Sequence, residues 1–84
     1  MIAEIYITLK KTVADPQGLT IKHALESLGY KNLADVRMGK MVVVNLDYEN
    51  KARAEREISE MCKKLLANPI IEEYRFKIKE GHAE

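Results

Sequence analysis

The chain has 84 residues, 46% hydrophobic and 32% charged, and its 14 basic residues against 13 acidic leave a net charge of +1. That length allows one domain and excludes a second core, while the near-neutral balance excludes an overall field able to hold nucleic acid or an anionic membrane. A domain this small buries only about 60 to 65% of the surface of its unfolded chain, so association with copies or partners adds useful stability.

In "AEIYITLKK" the residues Ala3, Ile5, Ile7 and Leu9 alternate with Glu4, Tyr6, Thr8 and Lys10, the period of a strand. Asp15 followed by Pro16 predicts a helix start, because the carboxylate caps free amides and proline has none to leave unpaired. The helix places Ile21, Ala24, Leu25 and Leu28 on one stripe, and Gly29 ends it. "LADVRM" alternates Ala34, Val36 and Met38 against Asp35 and Arg37, and "MVVVNLDY" sets Val42, Val44 and Leu46 on one face; both read as strands. From about Asn50 the period becomes helical, with Ala54, Ile58, Met61, Cys62, Leu65 and Leu66 on a stripe that Asn68 and Pro69 terminate. Tyr74, Phe76 and Ile78 alternate with Glu73, Arg75, Lys77 and Lys79 in a last strand, before the polar tail "EGHAE".

The order βαββαβ predicts a single domain over 1–84 of the α+β class, a ferredoxin-like two-layer sandwich with both helices on one face of an antiparallel sheet. Ile2, Tyr6, Met41 and Val43 then point to the other face, more apolar surface than solvent normally meets, and this face or an edge is expected to contact another subunit. Cys62 is the only cysteine, which excludes an intrachain disulfide and fits a reducing compartment. The first ten residues are too short and too charged for a signal peptide, and no apolar run approaches the roughly 20 residues of a membrane span, so a cytoplasmic location is expected.

"ADVRMGKM" is a near miss for a phosphate-binding loop. Such a loop must open a helix whose amides meet phosphate, whereas Lys40 opens a strand, and Met41 lacks the hydroxyl that ligates magnesium. Parity favours a hairpin instead: a three-residue loop, Arg37-Met38-Gly39 with Gly39 in the left-handed conformation, puts Ala34 and Val36 on the face of Val42 and Val44. Cys62 lies within an apolar stripe and reads as a buried thiol, while His23 and His82 read as solvated, so no metal site forms among them. Glu72 and Glu73 point to opposite faces, and Ser27 and Ser59 sit on helices without a nucleophile elbow, so no catalytic set emerges. "KARAERE" reads as a solvated helix face. An RNA-recognition domain would need stacking aromatics on its central strands, where Tyr6 stands alone. A ferredoxin-like regulatory module binding a small molecule near "ADPQGL" remains the alternative on fold grounds.

"TLKKTVADPQG", "ALESLGY", "DVRMGK" and "MCKKLLANPIIEEY", in that order and across nearly the whole chain, resemble the PurS family of purine biosynthesis. The resemblance implies the non-catalytic small subunit of phosphoribosylformylglycinamidine (FGAM) synthase, a homo-oligomer, dimer or tetramer, that bridges a glutamine amidotransferase subunit and a large synthetase subunit. It implies support for ammonia transfer from glutamine to formylglycinamide ribonucleotide, with ATP and Mg on the large subunit and no cofactor on this chain. The family motifs fall on Asp15, Pro16, Gln17 and Gly18, on Arg37, Gly39 and Lys40, and on Leu66, Ala67, Asn68 and Pro69. Asp15, Gln17, Arg37, Gly39, Lys40 and Asn68 are therefore the candidate partner contacts, and Ile2, Tyr6, Met41 and Val43 the candidate oligomer face.

Overall fold

The computed structural model describes residues 1–81, so His82 and the end of the polar tail lie outside the described residues. Three strands, β1 (Ile2–Leu9), β2 (Gly39–Asn45) and β3 (Glu72–Lys79), form an antiparallel sheet in the order β2-β1-β3, with helices α1 (Pro16–Ser27) and α2 (Lys51–Met61) between them. β1 is central. Its inward residues meet their expected partners, with Ala3 opposite Val44 and Ile78, and Ile5 opposite Val42 and Phe76. The α+β class, the antiparallel sheet and the two helices are thus as the periodicity predicts.

The core sits between the sheet and α2, where Ile5, Ile7, Ile58 and Cys62 are almost fully enclosed and Val42, Val44, Tyr74, Phe76 and Ile78 pack around them. Each large aliphatic buried there contributes about 1.5–3 kcal/mol. Asn50 caps α2 by accepting from the Arg53 amide at 3.0 Å, and the Tyr48 hydroxyl donates to Glu57 while the Arg53 guanidinium stacks 4.0 Å from the Tyr48 ring. α2 continues into one π turn, Cys62–Leu66, closed by the Ala67 amide donating to the Cys62 carbonyl at 2.9 Å. The wider winding breaks the expected stripe: Cys62 and Ala67 stay buried, but Leu65 is 83% exposed.

Burial raises the Cys62 thiol pKa and so disfavours the thiolate. The expected result with a chromogenic disulfide reagent is no reaction in buffer and one thiol titrated after denaturant is added. Rapid modification of the native protein would show the thiol to be open.

Two expectations about residues 34–41 need correction. Residues 34–38 join no strand ladder, so the hairpin is absent, and β2 pairs only with β1. The reason is a competing acceptor distant in sequence, because the Met38 amide donates to the Asp15 carboxylate at 2.6 Å instead of to a neighbouring strand. Gly39 is also not left-handed; among the described residues only Gly29 and Gly81 have positive φ, both +105°. Gly39 is needed for close approach, since a Cβ there would stand 3.0 Å from the Ile7 carbonyl oxygen.

α1 begins and ends where expected, with Asp15 as N-cap and Gly29 just past its end. Its apolar stripe nevertheless stays open: only Gly18 is buried in the helix, Leu28 is 75% exposed, and Ile21 and Ala24 are exposed as well. The molecule is elongated, 48 × 30 × 15 Å, with a radius of gyration of 16.2 Å where a compact chain of this length would have about 12 Å.

Candidate partner-contact site

The pairs Thr8–Gly39 and Leu9–Glu72 bring the end of β1 and the starts of β2 and β3 to one end of the sheet. The N-terminus of α1 arrives there too. Asp15, 8% exposed, accepts from the Gly18 amide at 3.0 Å through one oxygen and from Met38 at 2.6 Å through the other. These backbone donors, Gly18 first and then Met38, hold its carboxyl pKa below the usual range, with a smaller contribution from the Arg37 charge. One side chain therefore ties the helix start to the segment entering β2.

Arg37 completes the tie from the opposite direction. Its guanidinium donates to the carbonyls of Lys10 at 3.0 Å and Val13 at 2.7 Å, which belong to the connection between β1 and α1. Gly18 lies beneath, where an added Cβ would stand 2.2 Å from the Val36 carbonyl oxygen. Asp15, Gly18 and Arg37 thus form a clasp that joins α1 and residues 34–38 into one arm.

Beside the clasp is a cleft of about 250 Å³ lined by Asp15, Gln17, Met38, Gly39, Lys40 and Glu72 over the floor of Ile7 and Leu9. Lys40 reaches Glu72 at 3.6 Å. The other Glu72 oxygen accepts from the Asn68 amide at 2.7 Å, and the Asn68 side chain in turn accepts from Ile70 at 3.1 Å, shaping the turn into β3. The structure therefore gathers all six candidate residues at one end of the sheet. Four line the cleft, Arg37 stands behind it, and Asn68 joins through Glu72. Glu72 is the residue that sequence reasoning passed over; as a strand-opening carboxylate four residues after Asn68 it shows no periodic signal.

The arrangement suits binding and positioning. It holds no nucleophile paired with a base, and no group of three or more His, Cys, Asp or Glu among the described residues could hold a metal ion. No helix among the described residues is long and apolar enough to cross a membrane.

On the far face of the sheet Tyr6 lies opposite Met41, and Glu4 opposite Val43. Met41 and Val43 are 49% and 47% exposed, and Ile2 and Tyr6 are half-buried. The β3 side is charged: Lys79 pairs with Glu4 at 2.9 Å, and Arg75 sits 5.0 Å over the Tyr6 ring. The candidate face is thus apolar along β2, mixed along β1 and ionic along β3.

Fold and site together define a small α+β domain whose polar cluster holds backbone in place and whose apolar faces are left open. The chain belongs to the PurS family: the family model described as PurS, phosphoribosylformylglycinamidine (FGAM) synthase, matches residues 2–80. Phosphoribosylformylglycinamidine synthase subunit PurS of Methanocaldococcus jannaschii is 45% identical over 76 residues, covering 90% of this chain and 92% of that one. The Bacillus subtilis subunit is 40% identical over 85 residues, covering 96% and 95%. Among solved structures, M. jannaschii PurS superposes with a TM-score of 0.85 at 42% identity, covering 96% of this chain and 98% of that chain. A chain of PurLQS from Thermotoga maritima superposes at 0.78 with 29% identity, covering 92% and 96%.

Proposed function

We propose that this chain is the non-catalytic small subunit of FGAM synthase in purine biosynthesis. It works in the cytoplasm as a homo-oligomer, bridging a glutamine amidotransferase subunit and an ATP-dependent synthetase subunit and supporting the passage of ammonia to formylglycinamide ribonucleotide. The observation that carries this reading is a family match over residues 2–80 together with likeness to a chain of a PurLQS complex along nearly its whole length. ATP and Mg belong to the large subunit, and this chain holds no cofactor of its own.

Within that role, the cleft end and the apolar far face are the surfaces offered to partners. The exposed side chains of Gln17, Lys40 and Asn68 supply contacts at the cleft. Asp15 and Arg37 act behind them by fixing the backbone that carries Gly39 and Lys40. The regulatory-module alternative is disfavoured by the same geometry, because the Asp15 carboxylate already accepts from the Gly18 amide at the start of α1, where an anion would have to bind.

The test is reconstitution. Mixed with the amidotransferase and synthetase subunits, this chain is expected to be required for glutamine-dependent FGAM synthesis and to matter far less when ammonia is supplied. Equal glutamine-dependent rates with and without the chain would remove the proposal.

A further inference from the structure

The inner face of the sheet changes character at the cleft end. Ala3 lies between Val44 and Ile78, Ile5 between Val42 and Phe76, and Ile7 between Lys40 and Tyr74, after which Leu9 meets Glu72. The inward positions of all three strands are thus uncharged until that end, where β2 supplies Lys40 and β3 supplies Glu72. An ion pair is a poor filler for such a place, because apolar side chains of like volume serve stability as well or better. The pair is also a weak tie, 3.6 Å long with the Lys40 side chain 59% exposed, where water screens the attraction.

Glu72 does more than meet Lys40. Its second oxygen accepts from the Asn68 amide at 2.7 Å, and its own amide donates to the Asn68 carbonyl at 2.7 Å. These reciprocal bonds close the turn of residues 68–72, and the Lys10 amide, donating to the Ile71 carbonyl at 2.8 Å, anchors that turn beside the end of β1. Within the turn the Asn68 side-chain oxygen accepts from the Ile70 amide at 3.1 Å, while its two N–H groups make no bond among the described residues. The Lys40 ammonium likewise has donors beyond the one aimed at Glu72. One carboxylate therefore holds two donor groups that approach from opposite sides of the central strand. Both of its oxygens are engaged, as are those of Asp15, so the cleft end presents N–H donors outward.

We propose that Glu72 is a positioning residue for the subunit contact: it sets the Lys40 ammonium and the Asn68 amide N–H groups at fixed places beside the cleft, where they donate to oxygen acceptors of a larger subunit of the synthase. Glu72 acts through those two side chains and touches no partner itself. The matching partner surface carries carboxylates or the free carbonyls of a helix C-terminus, the groups such donors satisfy. Holding a long lysine side chain in place before contact lowers the entropy lost on binding, so the gain appears as affinity between subunits. The inference rests on the subunit role proposed above and names the residue that organises its cleft contact.

The test titrates this chain into a fixed mixture of the amidotransferase and synthetase subunits and follows glutamine-dependent FGAM synthesis, which gives each variant a half-saturating concentration and a plateau. Glu72→Gln keeps an acceptor for the Asn68 amide and removes the charge that holds Lys40. It is expected to raise the half-saturating concentration about 10-fold while the plateau and the thermal midpoint stay at wild-type values. Lys40→Met is expected to raise it by as much or more. Adding Glu72→Gln to Lys40→Met is expected to change it by less than about twofold, because the two residues act as one unit. An unchanged half-saturating concentration in Glu72→Gln, a rise that comes only with a lowered midpoint, or independent effects in the double variant would overturn the positioning role alone. A wild type that gives no glutamine-dependent stimulation would overturn the subunit role, and the positioning role with it.

Discussion

Replacing Gly18 with alanine is expected to lower the thermal midpoint by about 15 °C. The Cβ would stand 2.2 Å from the Val36 carbonyl oxygen and 2.8 Å from the Asp15 carboxylate, and the first of these is backbone that cannot rotate aside. The arm must then move away from the start of α1, stretching the Asp15 bond to Met38. A cost of about 3 kcal/mol is the upper end for overpacking, and in a domain of this size that corresponds to the stated shift. Gly39→Ala is expected to cost less, because its nearest backbone neighbour, the Ile7 oxygen, lies at 3.0 Å. Differential scanning calorimetry of both variants checks the order; equal midpoints for Gly18→Ala and wild type would show that residues 34–38 do not press on the helix.

The second large effect is on pH dependence. The Asp15 carboxyl is held below its ordinary value of 3.8 by the Gly18 and Met38 amides and, to a smaller extent, by Arg37. A depressed folded-state pKa contributes stability that is fully present above the unfolded value and is lost as pH falls through the folded one. Asp15→Asn is therefore expected to be less stable than wild type at pH 7, with the two converging in acid once Asp15 is protonated. Urea midpoints of both proteins from pH 7 to pH 2 measure this. Glu4 and Glu57 are likewise lowered, by Lys79 and Tyr48 respectively, but they titrate alike in both proteins, so the difference isolates Asp15. Parallel curves across the range would mean that the charge on Asp15 contributes nothing and only its shape caps the helix.

The features legible in the sequence were those settled by near neighbours. Asp15 and Pro16 opened α1, Gly29 followed its end, and the alternation in β1 and β3 placed every inward residue correctly. Residues 34–38 were misjudged because alternation marks an extended chain without saying what pairs with it. The acceptor that claimed the Met38 amide lies 23 residues away. Arg37 is similar: its acceptors at Lys10 and Val13 are 27 and 24 residues distant, so no local pattern in the sequence points to them. Gly39 serves to leave room for the Ile7 carbonyl, not to supply the conformational freedom its place in a bend suggests. The stripe of α1 is legible as apolar, but its pattern does not say what, if anything, packs against it.

Because the first strand made is the central one, its flanks come from residues far along the chain, out to the pairing of Ile2 with Lys79. Contacts of such separation carry a high loop-closure cost before any pairing repays it, which slows folding relative to a domain built from hairpins. During synthesis β1 can acquire β2 early, but its other side stays unpaired until residue 79 has left the ribosome. Between the pairing of β2 and the arrival of β3 the chain therefore displays an apolar half-sheet, and neighbouring chains on one message would meet in that state.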